Sequence, residues 1–310
     1  MNDGPRRRVL LVGATGMLGS AIAEAILERS DLVLRVLIRP EKRDAGEAFR
    51  SRGVDVIAGD ALLPDTLSSA MAGVHVVVCT LPNDPTTFVV GHKNLIEAAE
   101  RAGVRRLIPS DFSVDYFKID ASENFNLAMR KQVAPLFANR RVRPIHVLIG
   151  AFIDTMLDPR APFIDWKSGV LPFFGDGVQP CDFTSVADAA RYVAAACADP
   201  EAPEVLRVVG DVRSMPQFAE SISHAYGLRI EPKMQGSVDD LVRLIAEKQT
   251  TAANPWEWIA LQYHHNMVSG LAKLHPLDNA RYPDIHPESV EQFARRTGVG
   301  NARGMSVSAG

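Results

Sequence analysis

Residues 109–132, PSDFSVDYFKIDASENFNLAMRKQ, bring Asp111, Tyr116, Lys118, Arg130 and Lys131 together behind a short apolar run. A desolvated lysine can release a proton near neutral pH, whereas a guanidinium keeps its own, so Lys131 and Lys118 are the candidate acids and Arg130 a candidate fixed charge. Asp111 has two readings: a cap of the following turn, which is the simpler, or a group facing the reaction. Tyr116 and Lys118 fall in a loop expected to be exposed and able to fold over a cleft. Asn126 and Arg130 are one helical turn apart and share a face. The familiar Tyr-x-x-x-Lys pair is absent: four positions after the five tyrosines stand Asp120, Ala196, Ile230, Met267 and His286.

A second constellation lies near the start. VLLVGATGMLGSAI places Gly13, Gly16 and Gly19 after a strand-like run and at the opening of a helix-like one. Gly13 suits a tight turn, Gly16 a close backbone approach to a pyrophosphate and Gly19 close helix–strand packing, with Thr15, Met17 and Leu18 between them. Twenty residues past Gly19 a site for NAD would carry Asp or Glu; this chain has Arg39, followed by Lys42 and Arg43. Arginine can hold a 2′-phosphate in a bidentate contact, so the expected cofactor is NADP(H). Ligands of such sheets lie at the carboxyl ends of the strands. Those ends are Gly59-Asp60-Ala61, Thr80-Leu81-Pro82 and Ser110, with Phe152 after the last strand, the nicotinamide being expected near Ser110 and Phe152.

The elements that must carry these groups alternate. Val/Ile/Leu-rich runs recur at RVLLVG, LVLRVLI, VDVIAG, VHVVVCT, RRLIPS and RPIHVLIG, separated by helical patterns such as MLGSAIAEAILER, with Leu18, Ile22 and Ile26 on one stripe. VVGHKNLIEAAERAG ends on Gly103, suited to a left-handed C-terminal cap. Unbroken apolar strands alternating with helices predict an α/β fold with a doubly wound, parallel Rossmann-type sheet. Beyond about residue 150 the alternation fails in a Pro-, Gly- and aromatic-rich stretch. A helix opens at Ser185, with Asp188 as its capping partner, along Val186, Ala190, Val193 and Cys197. From Met215 the chain reads as mainly helical. The expected division is 1–155 as the cofactor domain, with 182–210 returning to it, and 156–181 and 211–310 as a smaller substrate domain. Trp256, Trp258 and Tyr263 read first as helix-packing core and second as the lining of an aromatic pocket.

A chain of 310 residues with 46% hydrophobic residues can bury a full core as one large domain or two intimate ones. A formal net charge of −3 offers no general attraction to nucleic acid, and Arg6-Arg7-Arg8 reads as a solvated lead-in to the first strand. No run approaches the ~20 apolar residues that span a bilayer, and the N-terminus lacks a secretory pattern. Three widely spaced cysteines, Cys79, Cys181 and Cys197, point to a reducing, cytoplasmic setting without disulfides. No metal is expected: His264 and His265 are adjacent, hence on different helix faces, and no H-E-x-x-H occurs. No G-x-S-x-G suggests a hydrolase.

G-A-T-G-M-L-G, Arg39, the Gly59-Asp60 pair, NLIEAAERAGVRRLIPSDF and FFGDGVQPCDFTSVADAARYVAAACADP together resemble the NmrA-like, isoflavone-reductase-like atypical short-chain dehydrogenases over roughly residues 8–228. The resemblance implies NADPH bound to a Rossmann domain, a smaller substrate domain and a cleft between them. Plant members use a lysine in F-x-x-K-x-x-x-R; the family spacing puts Arg130 there, and a one-residue slip puts Lys131. Two functions follow. One is an NADPH-dependent reductase of a small aromatic or conjugated molecule. The other is a non-enzymatic NADP(H)-binding regulator, a role the family also includes. The expected partner is a small molecule, with neither nucleic acid nor membrane; oligomeric state is left open.

Overall fold

A computed structural model describes residues 6–302. The first strands alternate with helices: β1 (Arg7–Val12), α1 (Met17–Leu27), β2 (Leu32–Ile38), α2 (Arg43–Arg50), β3 (Asp55–Ala58), α3 (Ser68–Met71), β4 (Val76–Cys79), α4 (Gly91–Ala102), β5 (Arg106–Ile108), α5 (Phe125–Val133) and β6 (Arg143–Pro144). The sheet runs β3-β2-β1-β4-β5-β6, parallel throughout. Its order reverses between β1 and β4, and there a crevice opens at the strands' carboxyl ends. This is the doubly wound α/β architecture the apolar runs imply.

Both faces of the sheet are covered, which is why its strands carry no polar alternation. Val9 and Leu11 of β1 face a core that includes Ile22 and Ile26, while Leu10 and Val12 face the opposite core with Met71, Leu95 and Ala99. Helix α4 ends at Gly103, whose φ of 73° supplies the left-handed turn.

The run RPIHVLIG bonds on two sides. Ile145 N–H donates to Leu107 O at 2.9 Å, and His146 N–H donates to Glu204 O at 2.8 Å. The run therefore divides into β6 and β7 (His146–Leu148), the latter paired with a later strand. Pro144, which lacks an N–H, sits where the first ladder stops.

The remaining elements are β8 (Ala151–Phe152), α6 (Ile153–Met156), β9 (Val170–Phe174), β10 (Cys181–Thr184), α7 (Val186–Ala198), β11 (Val205–Arg207), β12 (Asp211–Arg213), α8 (Met215–Tyr226), β13 (Glu231–Gly236), α9 (Val238–Thr251), α10 (Trp256–Val268) and α11 (Val290–Ala302). Helix α7 packs beside α1 over the sheet; Ser185 accepts from Asp188 N–H at its start, and Val186, Ala190, Val193 and Cys197 are buried. A third core joins α8, α11, β9 and β10, with the Phe183 and Phe218 rings 4.6 Å apart. Strand β13 breaks the helical reading of the C-terminal part. EPKMQG pairs in parallel with β9 while five of its six residues stay exposed, so no apolar pattern announces it.

No helix among the described residues is long and apolar enough to cross a membrane. Cys79, Cys181 and Cys197 are free and buried.

Candidate active-site cleft

The crevice holds a cavity of about 350 Å³ with the Gly-rich turn on one wall and α10 on another. At the turn, Gly13 has φ +89° and Thr80 Oγ1 donates to the Val12 and Gly13 carbonyls at 3.0 and 3.1 Å. A Cβ on Gly19 would lie 2.1 Å from Gly13 O, so helix and turn touch backbone to backbone. Gly16 differs: the nearest protein atom to its Cβ would be Gly13 O at 3.5 Å, an ordinary contact, and the residue borders the cavity. Nothing in the protein requires glycine there, whereas a ligand lying on the backbone would. Helix α1 starts at Gly16 without a side-chain cap and without an acidic residue in its first turn, leaving its N-terminal amides to an anion. These features fit a dinucleotide pyrophosphate.

The other expected cofactor residues divide into two groups. Met17, Leu18, Thr80, Leu81, Ser110 and Phe152 line the cavity with Gly16 and Gly19. Arg39, Lys42, Thr15 and Pro82 are exposed and lie outside it; Arg39 follows β2 and pairs with Glu41 at 3.2 Å. At the end of β3, Asp60 Oδ1 accepts from Leu62 N–H, and Ala61 O accepts from Asn94 Nδ2 at 2.9 Å. A Cβ on Gly59 would meet Leu37 Cδ1 at 2.8 Å, so this strand end is a tightly tied turn.

Arg130 forms the floor beside Ser110. It is 5% exposed and lines the cavity. Its Nε donates to Asp111 O at 2.8 Å and its Nη1 to Asn126 O at 2.9 Å and Asn83 Oδ1 at 3.2 Å, with the guanidinium carbon 5.0 Å from the Phe88 ring centroid. These bonds use Nε and Nη1 and leave Nη2 for a ligand. Ser110 is held as well: its N–H donates to His92 Nε2 at 3.0 Å and its Oγ to Leu81 O at 3.1 Å. Because His92 Nε2 accepts, its Nδ1 carries the ring proton and donates to Phe88 O at 2.6 Å. Burial drives the His92 pKa down to about 4, keeping the ring neutral.

Four expectations for the opening stretch change. Lys131 does not line the cavity; successive helical residues are turned by about 100°, and Arg130 takes the inward position. Lys118 is held away from the cleft, its Nζ donating to Lys273 O at 2.7 Å and lying 3.5 Å from Asp115 Oδ2. Tyr116 is no lid but fully buried, and burial together with the Asp111 charge pushes its pKa far up. Asp111 does not cap the turn: its Oδ2 lies 2.5 Å from His146 Nδ1 and accepts from Tyr116 Oη at 3.2 Å, all three groups buried.

The far wall comes from α10. Trp256, Ala260, Tyr263 and Met267, spaced four, three and four, line the cavity together with Phe163. Trp258 points elsewhere, its ring 5.7 Å from Phe125. The helix is fixed to α5 by Asn124 Nδ2 donating to Asn266 Oδ1 at 3.0 Å and by Phe125 N–H donating to Gln262 Oε1 at 2.9 Å. The aromatic cluster is thus split between packing and lining.

Behind Phe163, Trp256 and Ala260 lies a second compartment of about 420 Å³, bordered by His264. His264 Nε2 accepts from Phe174 N–H at 3.3 Å, and burial lowers its pKa to about 4. Among the described residues no group of three or more His, Cys, Asp or Glu could hold a metal ion. The main cavity is chiefly apolar and aromatic, with one buried cation and a few hydroxyls.

Comparison with known proteins agrees with this fold. The NmrA-like family pattern matches residues 5–254. The isoflavone reductase homologue A622-like of Nicotiana tabacum is 24% identical over 256 residues, covering 78% of this chain and 81% of its own. Phenylcoumaran benzylic ether reductase TP7, also of Nicotiana tabacum, is 27% identical over 208 residues, 63% of this chain and 66% of its own. Among solved structures, AtPrR2 with NADP+ and (+)pinoresinol superposes with a TM-score of 0.80 at 20% identity, covering 94% of this chain and 99% of that one. An isoflavone reductase superposes at 0.79 and 19% identity, with the same coverage. At these identities the superpositions establish the shared fold.

Proposed function

Since the chain belongs to the NmrA-like family, we propose that it is an NADPH-dependent reductase of a small aromatic or conjugated molecule. The observation that carries this reading is one continuous cavity in which Gly16 and the uncapped start of α1 meet Arg130, Trp256 and Tyr263. The reductases among its relatives support it, as does a structural neighbour with NADP+ and (+)pinoresinol.

In this reading Gly13, Gly16 and Gly19 hold the pyrophosphate at the start of α1, and Arg39 with Lys42 takes the 2′-phosphate. Gly59, Asp60 and Ala61 border the adenine, while Thr80, Leu81 and Pro82 border the ribose and phosphates. Ser110 and Phe152 flank the nicotinamide. Bound NADPH supplies a hydride; the protein supplies orientation, a dry pocket and charge. A guanidinium does not donate protons near neutral pH, so Arg130 acts by stabilising negative charge that builds on the substrate. Of the proposed halves, 1–155 with 182–210 for the cofactor and 156–181 with 211–310 for the substrate, residues 1–5 and 303–310 lie outside the described residues. A reducing, cytoplasmic setting suits three buried free cysteines.

A second reading, an NADP(H)-binding regulator, is favoured by one observation: Arg130 stands where plant relatives use lysine, and Lys118 and Lys131 lie outside the cavity. The two readings separate in one assay. A reductase oxidises NADPH with at least one member of a panel of quinones, enones and phenylpropanoids. A protein that binds NADP+ and NADPH with different affinities and consumes NADPH with none of them is the regulator.

A further inference from the structure

The cavity holds few groups able to supply a proton. Guanidinium groups keep theirs, and the hydroxyls of Thr80, Ser110, Ser113 and Thr155 are aliphatic alcohols, far weaker acids than a phenol. With Lys118 and Lys131 outside, the one lining side chain among the described residues that can act as a general acid is the phenol of Tyr263. It belongs to the Trp256–Ala260–Tyr263–Met267 stripe, so the geometry of α10 turns it toward the same space as Gly16, Ser110 and Phe152. Its hydroxyl bonds no described protein group, unlike Tyr116, which is spent on Asp111, and Tyr282, which is spent on Asp199. The helix that bears it is pinned through Gln262 and Asn266 to α5, the helix that bears Arg130.

We infer that Tyr263 is the proton donor of the proposed reductase, and that the substrate is a conjugated carbonyl compound whose oxygen meets this hydroxyl. The inference rests on the reductase reading. Hydride from NADPH forms the new C–H bond at the carbonyl carbon or its vinylogous β carbon, and the π pair moves onto oxygen. That oxygen takes the Tyr263 proton, forming O–H as the phenol O–H breaks. Water reprotonates the phenolate, and NADP+ is the oxidised product. The free edge of Arg130 offsets the charge that builds on oxygen, and Trp256, Phe163 and Phe152 supply faces for a flat conjugated system.

Tyr263→Phe removes a single oxygen and keeps the ring. With a panel of aryl ketones and enones, we expect kcat to fall by about 100-fold or more, as for loss of a general acid, with KM raised by no more than about fivefold. NADPH should bind the variant as it binds the parent. A readout independent of turnover is the affinity for an aryl carboxamide, which presents the same carbonyl oxygen and accepts no hydride; it should weaken by about fivefold in the variant. Parent-like kcat and carboxamide affinity in Tyr263→Phe overturn the role of Tyr263 and leave the reductase reading standing. A raised KM at unchanged kcat also overturns it, reducing Tyr263 to a wall contact. If the parent protein oxidises NADPH with no carbonyl compound but does so with another acceptor class, the substrate assignment fails; if with none, the reductase reading fails too.

Discussion

Arg130 Nε donates to the backbone carbonyl of Asp111 at 2.8 Å, so a side chain of α5 fixes the chain just after β5, next to Ser110. The same guanidinium holds Asn126 O and Asn83 and stacks near Phe88, tying three segments at the cleft floor. Replacing it by Met keeps the stem but strips partners from buried acceptors, which costs about 3 kcal/mol. Arg130→Lys restores a charge but not the planar fork, and should lose roughly half as much. Thermal and urea unfolding of the two variants check the order; equal stability of parent and Arg130→Met would show that the network carries no weight.

Gly16 and Gly19 lie three residues apart and make opposite predictions. A Cβ at Gly19 would sit 2.1 Å from a backbone oxygen that cannot move without opening the β1–α1 turn. Gly19→Ala should therefore destabilise the fold by about 3 kcal/mol or more, as overpacking against backbone does. At Gly16 the φ of −82° suits alanine and no protein atom is closer than 3.5 Å. Gly16→Ala should fold with parent-like melting while weakening NADPH by about tenfold or more, because the added methyl fills the space of the pyrophosphate. Melting curves beside fluorescence titration of NADPH separate the two; parent-like NADPH affinity in Gly16→Ala would remove the pyrophosphate from this turn.

Arg39 is more than half exposed and its Glu41 partner is equally free, so its value for stability is small. For recognition the case differs, since a 2′-phosphate can take both edges of the fork. Arg39→Ala should weaken NADPH by about 10- to 100-fold and NADH by less than about threefold. Similar losses for both cofactors would show that Arg39 does not read the 2′-phosphate. Raising salt should erode NADPH binding in the parent more than in the variant.

What the sequence made legible was local. Gly103 and Ser185 end and begin helices through chemistry within a few residues, and both act as their types dictate. The glycine triplet was readable for the same reason, because turn, helix start and close packing are all set within seven residues. The role of Asp111 was not legible because its partners are Tyr116 and His146, the latter 35 residues away at the start of β7, and no spacing rule links the end of β5 to that position. Lys118 was misplaced because its anchor, Lys273 O, belongs to the C-terminal third. Tyr263 illustrates the remaining gap. A four-three-four stripe specifies a face, but whether that face meets a core or a cavity depends on elements packed from elsewhere in the chain.

Two buried histidines give the stability a pH dependence whose sign follows from their environments. His92 is fully buried and His264 nearly so, and loss of hydration lowers both pKa values to about 4, against 6.5 for an exposed imidazole. For His92 the Phe88 carbonyl and the Asp111 charge work against that fall and Arg130 reinforces it; for His264 the neighbouring His265 reinforces it. A folded-state pKa below the unfolded value means that, between the two, the unfolded chain takes up protons that the native protein refuses. Stability is therefore full above pH 6.5, falls as the pH drops toward 4, and loses on the order of 3 kcal/mol for each ring across that window. His92→Gln can still bridge Phe88 O and Ser110 N–H without titrating, so it should flatten the slope of stability against pH in this window. Urea unfolding midpoints at pH 7 and pH 5 measure that slope. An equal shift in parent and His92→Gln would mean that His92 takes up its proton in the folded protein, and that the Ser110 wall is not held by a neutral imidazole.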